Sequence, residues 1–183
     1  MEEVSLEIEQ SFANTSHHLR LLARSGLLRS RRNGNRVVYR LASDRVGELW
    51  RAVRDVAAQH VAEVAVLAHD YLGERAEVEH LSAAELQTRI DRCEVVVLDV
   101  RPEAEYRAGH IAGSVSAPLE SLPAVIAALP ERGREVVAYC RGPYCVYADD
   151  AVRLLQAQGF RARRLDVGFP EWRTAGLPVE LAS

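Results

Sequence analysis

Lysine is absent from this 183-residue chain: all 23 of its basic residues are arginine. Cysteine is scarce, limited to Cys93, Cys140 and Cys145. An odd, small number of thiols argues against a disulfide-stapled secreted scaffold and for a reducing compartment. Long hydrophobic runs are also missing, and the longest, such as Val95 to Leu98, are strand-sized, which excludes a membrane-spanning helix. No charged, apolar, small-residue sequence of the kind that opens a secretory precursor begins the chain. Internal repeats and low-complexity tracts are lacking too. These absences together predict a cytoplasmic protein without membrane contact.

Acid is missing from one place in particular. Residues 11 to 43 contain Arg20, Arg24, Arg29, Arg31, Arg32, Arg36 and Arg40 but no Asp or Glu, giving a local charge of +7. The rest of the chain sets 16 arginines against all 26 acids, a balance of -10, so the net charge of -3 conceals a strong asymmetry. A basic island in an acidic chain is the electrostatic footprint of a nucleic-acid contact. The length suits one modest domain joined to a small module.

In the basic region Ser11 is a good N-cap, and Phe12, Thr15, Leu19 and Leu22 recur at helical spacing until Gly26. Extended segments follow around Asn33-Gly34-Asn35, a strong hairpin signal. A helix followed by an Arg-rich hairpin is the layout of a winged helix-turn-helix. From Asp44 to Leu72 apolar residues then recur three or four apart, which predicts one long helix of roughly 40 Å. Its stripe exceeds what so small a module can cover, so it is expected to pair with another copy. Glu74 to His80 reads as a charged linker, and Ser82-Ala83-Ala84-Glu85 as a capping box that opens the next helix. Strand and helix signals alternate beyond it: Glu94 to Asp99, a helix from Pro102, Val136 to Cys140, Asp149 to Gln158 and Arg161 to Leu165. This pattern predicts a parallel sheet with helices on both faces.

Cys140 to Tyr147 connects a buried strand to a helix, and ligands bind α/β sheets at such a strand end. Unpaired amides at the helix start favour an anion, and with Arg141 they would hold Cys140 as the reactive thiolate. The bland reading is a buried, inert cysteine. Against it stands the crowding of charge, turn and second thiol in Cys140-Arg141-Gly142-Pro143-Tyr144-Cys145.

Leu98-Asp99-Val100-Arg101-Pro102 with Glu105-Tyr106, Gly109-His110-Ile111 with Gly113-Ser114 and Pro118, and Gly168-Phe169 with Glu171-Trp172 and Ala175 to Val179 resemble the rhodanese family over residues 80 to 181. The resemblance implies sulfane-sulfur transfer through a persulfide on Cys140. It implies loop amides from Arg141 through Gly142, Pro143, Tyr144 and Cys145 to Val146 holding the persulfide and an anionic donor such as thiosulfate or polysulfide. A thiol would accept the sulfur, and Asp99 and Arg101 would brace the loop. No cofactor is called for. Cys140 to Gly159 is somewhat longer than the usual loop and helix, which allows a wider pocket. Related phosphatases and arsenate reductases need Arg six places after the cysteine, where this chain has Val146, so those chemistries are disfavoured. Cys145 either resolves a Cys140 persulfide or merely lines the loop.

Residues 2 to about 72, through Ser11 to Leu19, Leu21-Leu22, Gly26-Leu27 and Gly34 to Leu41, resemble the ArsR family of winged-helix regulators. With Phe12, Thr15, Leu19 and Leu22 toward the core, the resemblance assigns Asn14, Ser16, His17 and Arg20 to the major groove of double-stranded operator DNA. Arg31, Arg32 and Arg36 on the wing would take phosphate or the minor groove. The residues before Ser11 can supply one short helix, fewer than that family carries there. Many relatives sense metals, but no cysteine precedes Cys93. His60, Glu63, His69 and Asp70 read as an exposed helical face, so no metal is expected.

The expectation is thus an α/β chain in two parts. Residues 1–73 form a small α+β winged helix-turn-helix with a long dimerisation helix, and residues 80–183 a rhodanese-like domain. Together they make a homodimeric regulator that transfers or senses sulfane sulfur. The alternative is a sulfurtransferase whose N-terminal part only dimerises it.

Overall fold

The computed structural model describes residues 2–61, 66, 70, 79–129 and 133–181, and the chain divides into two compact units, Met1–Ala65 and Val66–Ser183. In the first, α1 (Glu2–Glu7) precedes α2 (Phe12–Arg24), which starts where the Ser11 side chain accepts a hydrogen bond from the Asn14 N–H. Strands β1 (Leu28–Asn33) and β2 (Arg36–Leu41) form an antiparallel hairpin closed by Gly34-Asn35. Gly34 supplies the positive φ of +59° that so tight a turn demands. Only part of the expected α2 stripe is covered: Thr15 is buried and Leu19 half-buried, while Phe12 and Leu22 are exposed. A unit this small has too few elements to cover both edges of the stripe.

The single helix expected over Asp44–Leu72 is corrected. Helix α3 (Asp44–His60) ends at Val61, which is extended at φ -112° and ψ 99°. None of its residues is buried, so it receives little of the tertiary packing that stabilises most protein helices from the described residues, and β-branched Val61 adds little propensity of its own. Val66 and Asp70 are helical again, as expected, and the remainder of that expectation, at 62–65, 67–69, 71 and 72, lies outside the described residues, as do Glu63 and His69.

The second unit is built on a sheet of five strands among the described residues, in the order β3 (His80–Leu81), β8 (Ala162–Leu165), β7 (Glu135–Tyr139), β4 (Val95–Asp99), β6 (Val115–Ser116), every pairing parallel. His80, expected in a linker, is therefore part of the sheet edge. Helix α4 (Ala83–Asp91) opens with the capping box complete, Glu85 N–H to Ser82 Oγ and Ser82 N–H to Glu85 Oε2. Helices α5 (Glu103–Ala108), α6 (Leu122–Ala128), α7 (Tyr147–Ala157) and α8 (Phe169–Thr174) follow in chain order, and β5 (His110–Ile111) pairs with β9 (Val179–Glu180).

Strand periodicity sorts the core onto two faces. Val136 and Ala138 of β7 pack with Leu122, Ile126, Ala151, Val152 and Leu155 of α6 and α7. Val137 and Tyr139 pack with Leu86, Ile111, Phe169 and Trp172 on the other face. All five residues of β7 are buried, as a central strand covered on both faces requires.

Candidate active site

The same alternation carries Cys140, the residue after β7, onto the α7 side of the sheet, where it is 2% exposed. The loop Cys140–Val146 then runs to the start of α7. Within it the Cys145 N–H donates to Gly142 O at 3.2 Å, and Cys140 and Cys145 are joined by a disulfide with their Cα atoms 6.3 Å apart. Gly142 is buried, Tyr144 exposed, and Arg141, Pro143, Cys145 and Val146 half-buried. The guanidinium of Arg141 reaches across to Glu105 of α5, with Nε and Nη2 on Oε1 at 2.9 and 2.6 Å. Its charge is therefore shared with a carboxylate as well as lent to the loop.

Two further residues that sequence reasoning did not single out help fix the loop. Arg164 of β8 and Asp149 of α7, 2% and 1% exposed, form an ion pair at 3.2 Å, and Arg164 Nη2 also donates to Gly142 O at 2.9 Å. One buried cation thus ties strand, helix and loop together. On the opposite side the Phe169 N–H donates to Cys140 O at 3.0 Å. Gly168 precedes it, and a Cβ there would lie 2.3 Å from the Arg141 carbonyl carbon and 2.4 Å from Gly142 N. Only glycine lets the two backbones approach so closely.

Asp99 and Arg101 act one step behind the loop. Arg101 Nε and Nη2 donate to Asp99 at 2.9 and 2.5 Å, Nη2 also to Gly109 O at 2.7 Å, and the guanidinium lies 4.2 Å from the centre of the Phe169 ring. Asp99 accepts the Tyr139 hydroxyl proton at 2.5 Å, while that oxygen accepts the Ile111 N–H at 3.0 Å. The pair therefore holds Tyr139, which precedes Cys140. It reaches the loop through Glu105, 3.9 Å from Arg101 and shared with Arg141. Burial opposes the charge of Arg101, but the hydrogen bonds and charge of Asp99 outweigh it and raise its pKa.

Burial foremost, then the charge and hydrogen bond of Asp99, push the Tyr139 phenol well above the ordinary tyrosine range. Burial also raises Tyr106. A raised folded pKa means a contribution that is complete below the unfolded value of about 10 and is lost as pH rises from there toward the folded value. The loss runs at up to about 1.4 kcal/mol per pH unit for each proton retained. Because the chain has no lysine, tyrosine and cysteine alone among its side chains ionise in that window. Urea unfolding between about pH 9.5 and 11.5 is expected to show a falling stability whose slope drops by about one proton in Tyr139→Phe. An unchanged slope in that variant would remove Tyr139 as its source.

The Rhodanese-like domain model matches residues 82–175, which span β4 to β8, the Cys140 loop and Gly168. The chain belongs to the rhodanese-like domain family. It is 42% identical to the HTH-type transcriptional regulator Rv0324 of Mycobacterium tuberculosis over 98% of this chain and 78% of that protein. It is 30% identical to a sulfurtransferase of Allochromatium vinosum over 56% of this chain and 94% of that one. The crystal structure of the Alr3790 protein from Anabaena sp. superposes with a TM-score of 0.51 at 30% identity, covering 56% of this chain and 92% of that one.

Outside the rhodanese-like domain, the first unit carries the seven arginines of residues 11–43 on the hairpin and α2. Asn14, His17 and Arg20 are exposed and Ser16 half-buried. The Asn14 amide donates to Gln10 Oε1 at 2.9 Å and Arg20 Nε to Ser16 O at 3.1 Å. The hairpin register, Arg31↔Val38 and Asn33↔Arg36, combined with strand alternation places Arg29, Arg31, Arg36 and Arg40 on one face. All four are exposed. Arg32 belongs to the other face, with half-buried Val37 and Tyr39. Of the three hairpin arginines that the sequence suggested for DNA, Arg31 and Arg36 thus share a face with Arg29 and Arg40, and Arg32 lies on the other. Among the described residues no helix is long and apolar enough to cross a membrane.

Proposed function

We propose that this protein is a cytoplasmic DNA-binding transcriptional regulator whose rhodanese-like domain forms a persulfide on Cys140 and transfers or senses sulfane sulfur. One observation carries the chemical half. Cys140 stands at the end of the central strand, facing the N-terminus of α7, in a loop whose carbonyls are engaged by Phe169 and Arg164. Once the Cys140–Cys145 disulfide is reduced, that leaves a nucleophile beside amides suited to an anion such as thiosulfate or polysulfide. The loop amides from Arg141 to Val146 bind the donor, and a thiol accepts the sulfur. Residues 1–73 form an ArsR-type winged helix-turn-helix, with α2 in the major groove of operator DNA and the hairpin on its backbone, and residues 80–183 form the sulfur domain. The regulator is a homodimer: Leu49, Trp50, Val53 and Val56 of α3 are all more than half exposed in the single chain, a stripe that a second copy would cover.

With excess dithiothreitol as acceptor, the reduced protein is expected to turn thiosulfate over to sulfite and hydrosulfide, and Cys140→Ser to lose that turnover entirely. Equal rates in the two proteins would overturn Cys140 as the nucleophile.

A further inference from the structure

Cys140 is 2% exposed, so a bulky acceptor thiol reaches a persulfide on it only if the loop opens. Cys145 is already there. The two sulfurs are bonded across a loop fixed from β8, α7 and α8, and their Cα separation of 6.3 Å lies within the ordinary disulfide range. Cys145 also directly precedes Val146, the N-cap of α7, where the unpaired amides of an eleven-residue helix favour a thiolate. Cys93 is exposed and lies at the end of α4, outside this loop.

We infer that Cys145 is the resolving residue of the site: it attacks Sγ of the Cys140 persulfide, expels the sulfane sulfur as hydrosulfide and leaves the Cys140–Cys145 disulfide. The inference rests on the proposed persulfide and names its first acceptor. In the step the Cys145–Cys140 sulfur bond forms while the bond from Cys140 Sγ to the sulfane sulfur breaks. The electron pair of the broken bond departs on the sulfane sulfur, which takes the Cys145 proton and leaves as HS⁻. The sulfane sulfur is reduced to sulfide and the two cysteines are oxidised to cystine, so no external oxidant enters. Attack at the terminal sulfur would instead move the persulfide to Cys145 without joining the two Sγ atoms. Of the two, attack at Sγ is the one that gives a direct bond between the two sulfurs, the pairing their positions in the loop allow. The closed loop then holds no nucleophile until a thiol or dithiol reductant reopens it, which makes the disulfide a record of one encounter with sulfane sulfur.

The test uses the full chain, reduced, freed of reductant and treated anaerobically with stoichiometric thiosulfate. The parent is expected to release one sulfite and one hydrosulfide per chain and to end two hydrogens lighter, with peptide mapping showing Cys140 linked to Cys145 and Cys93 free. Cys145→Ser and Cys145→Ala are expected to release sulfite without hydrosulfide and to retain the mass of one added sulfur until dithiothreitol is supplied. A parent that keeps the added sulfur as the variants do overturns resolution by Cys145 and leaves the persulfide standing. Failure of parent and variants alike to release sulfite or gain sulfur overturns the persulfide, and this inference with it.

Discussion

Arg164→Met is expected to destabilise the rhodanese-like domain by about 3–5 kcal/mol, the cost of breaking a buried ion pair from one side, and to abolish sulfur transfer. The stability loss follows from burial. Asp149 is 1% exposed and would be left with a carboxylate deprived of its cation. The loss of activity follows from the second bond, since Arg164 Nη2 holds Gly142 O, and Gly142 O in turn accepts the Cys145 N–H. The two consequences separate in a double variant. Removing both charges with Arg164→Met and Asp149→Leu is expected to recover most of the stability, because a buried pair replaced by apolar groups of similar volume is close to neutral. Gly142 O stays without its clamp, so sulfur transfer stays lost. Chemical denaturation and the thiosulfate assay on the same samples check both statements. A single variant that loses less than about 1 kcal/mol, the scale of an exposed pair, would show that the interaction is solvated.

This clamp also marks where sequence reasoning stopped. The Cys140 loop was legible because a buried strand, a turn and a helix in succession place a thiol at a helix N-terminus. Each of those signals is local. Arg164 was not legible, because in Arg161 to Leu165 it is one of three arginines on a short strand. Nothing nearby says that its side chain alone is buried. Its burial depends on β8 pairing with β7 and on α7 bringing Asp149 over it, and both are contacts at a distance. Gly168 was legible as part of a motif but not as a contact, since the close approach to Arg141 exists only after β8 and α8 are in place. Asp99 and Arg101 stand at and just beyond the end of β4, beside β7, but their link to the loop through Glu105 needed the fold.

In the first unit the limits ran the other way. Ser11 as N-cap and the hairpin turn follow from two or three adjacent residues and were readable. The helix end at His60 was not, because Asp44 to Leu72 keeps an unbroken apolar period with no Gly or Pro between Gly47 and Gly73. Periodicity says which face of a helix would be apolar. It does not say whether anything packs on that face, and no residue of α3 is buried.

Hairpin register makes the last expectation quantitative: replacing Arg29, Arg31, Arg36 and Arg40 together by Gln should weaken DNA binding far more than replacing Arg32 alone. The four occupy one exposed face of the ribbon, whereas Arg32 shares the other with Val37 and Tyr39. Each phosphate contact contributes about 0.9 to the slope of log affinity against log salt, so four contacts contribute about 3.6. Across a fourfold rise in salt that is roughly a 150-fold change in affinity. The measurement is fluorescence anisotropy of the protein's own upstream DNA over a salt series, with the parent, Arg32→Gln and the quadruple Gln variant. A quadruple Lys variant separates charge from shape, since it restores the cations that the chain otherwise supplies only as arginine. The salt slope should fall by several units in the Gln variant, by less than one in Arg32→Gln, and stay near the parent's in the Lys variant. If the quadruple Gln protein keeps the parent's slope, this face of the hairpin does not meet the DNA backbone.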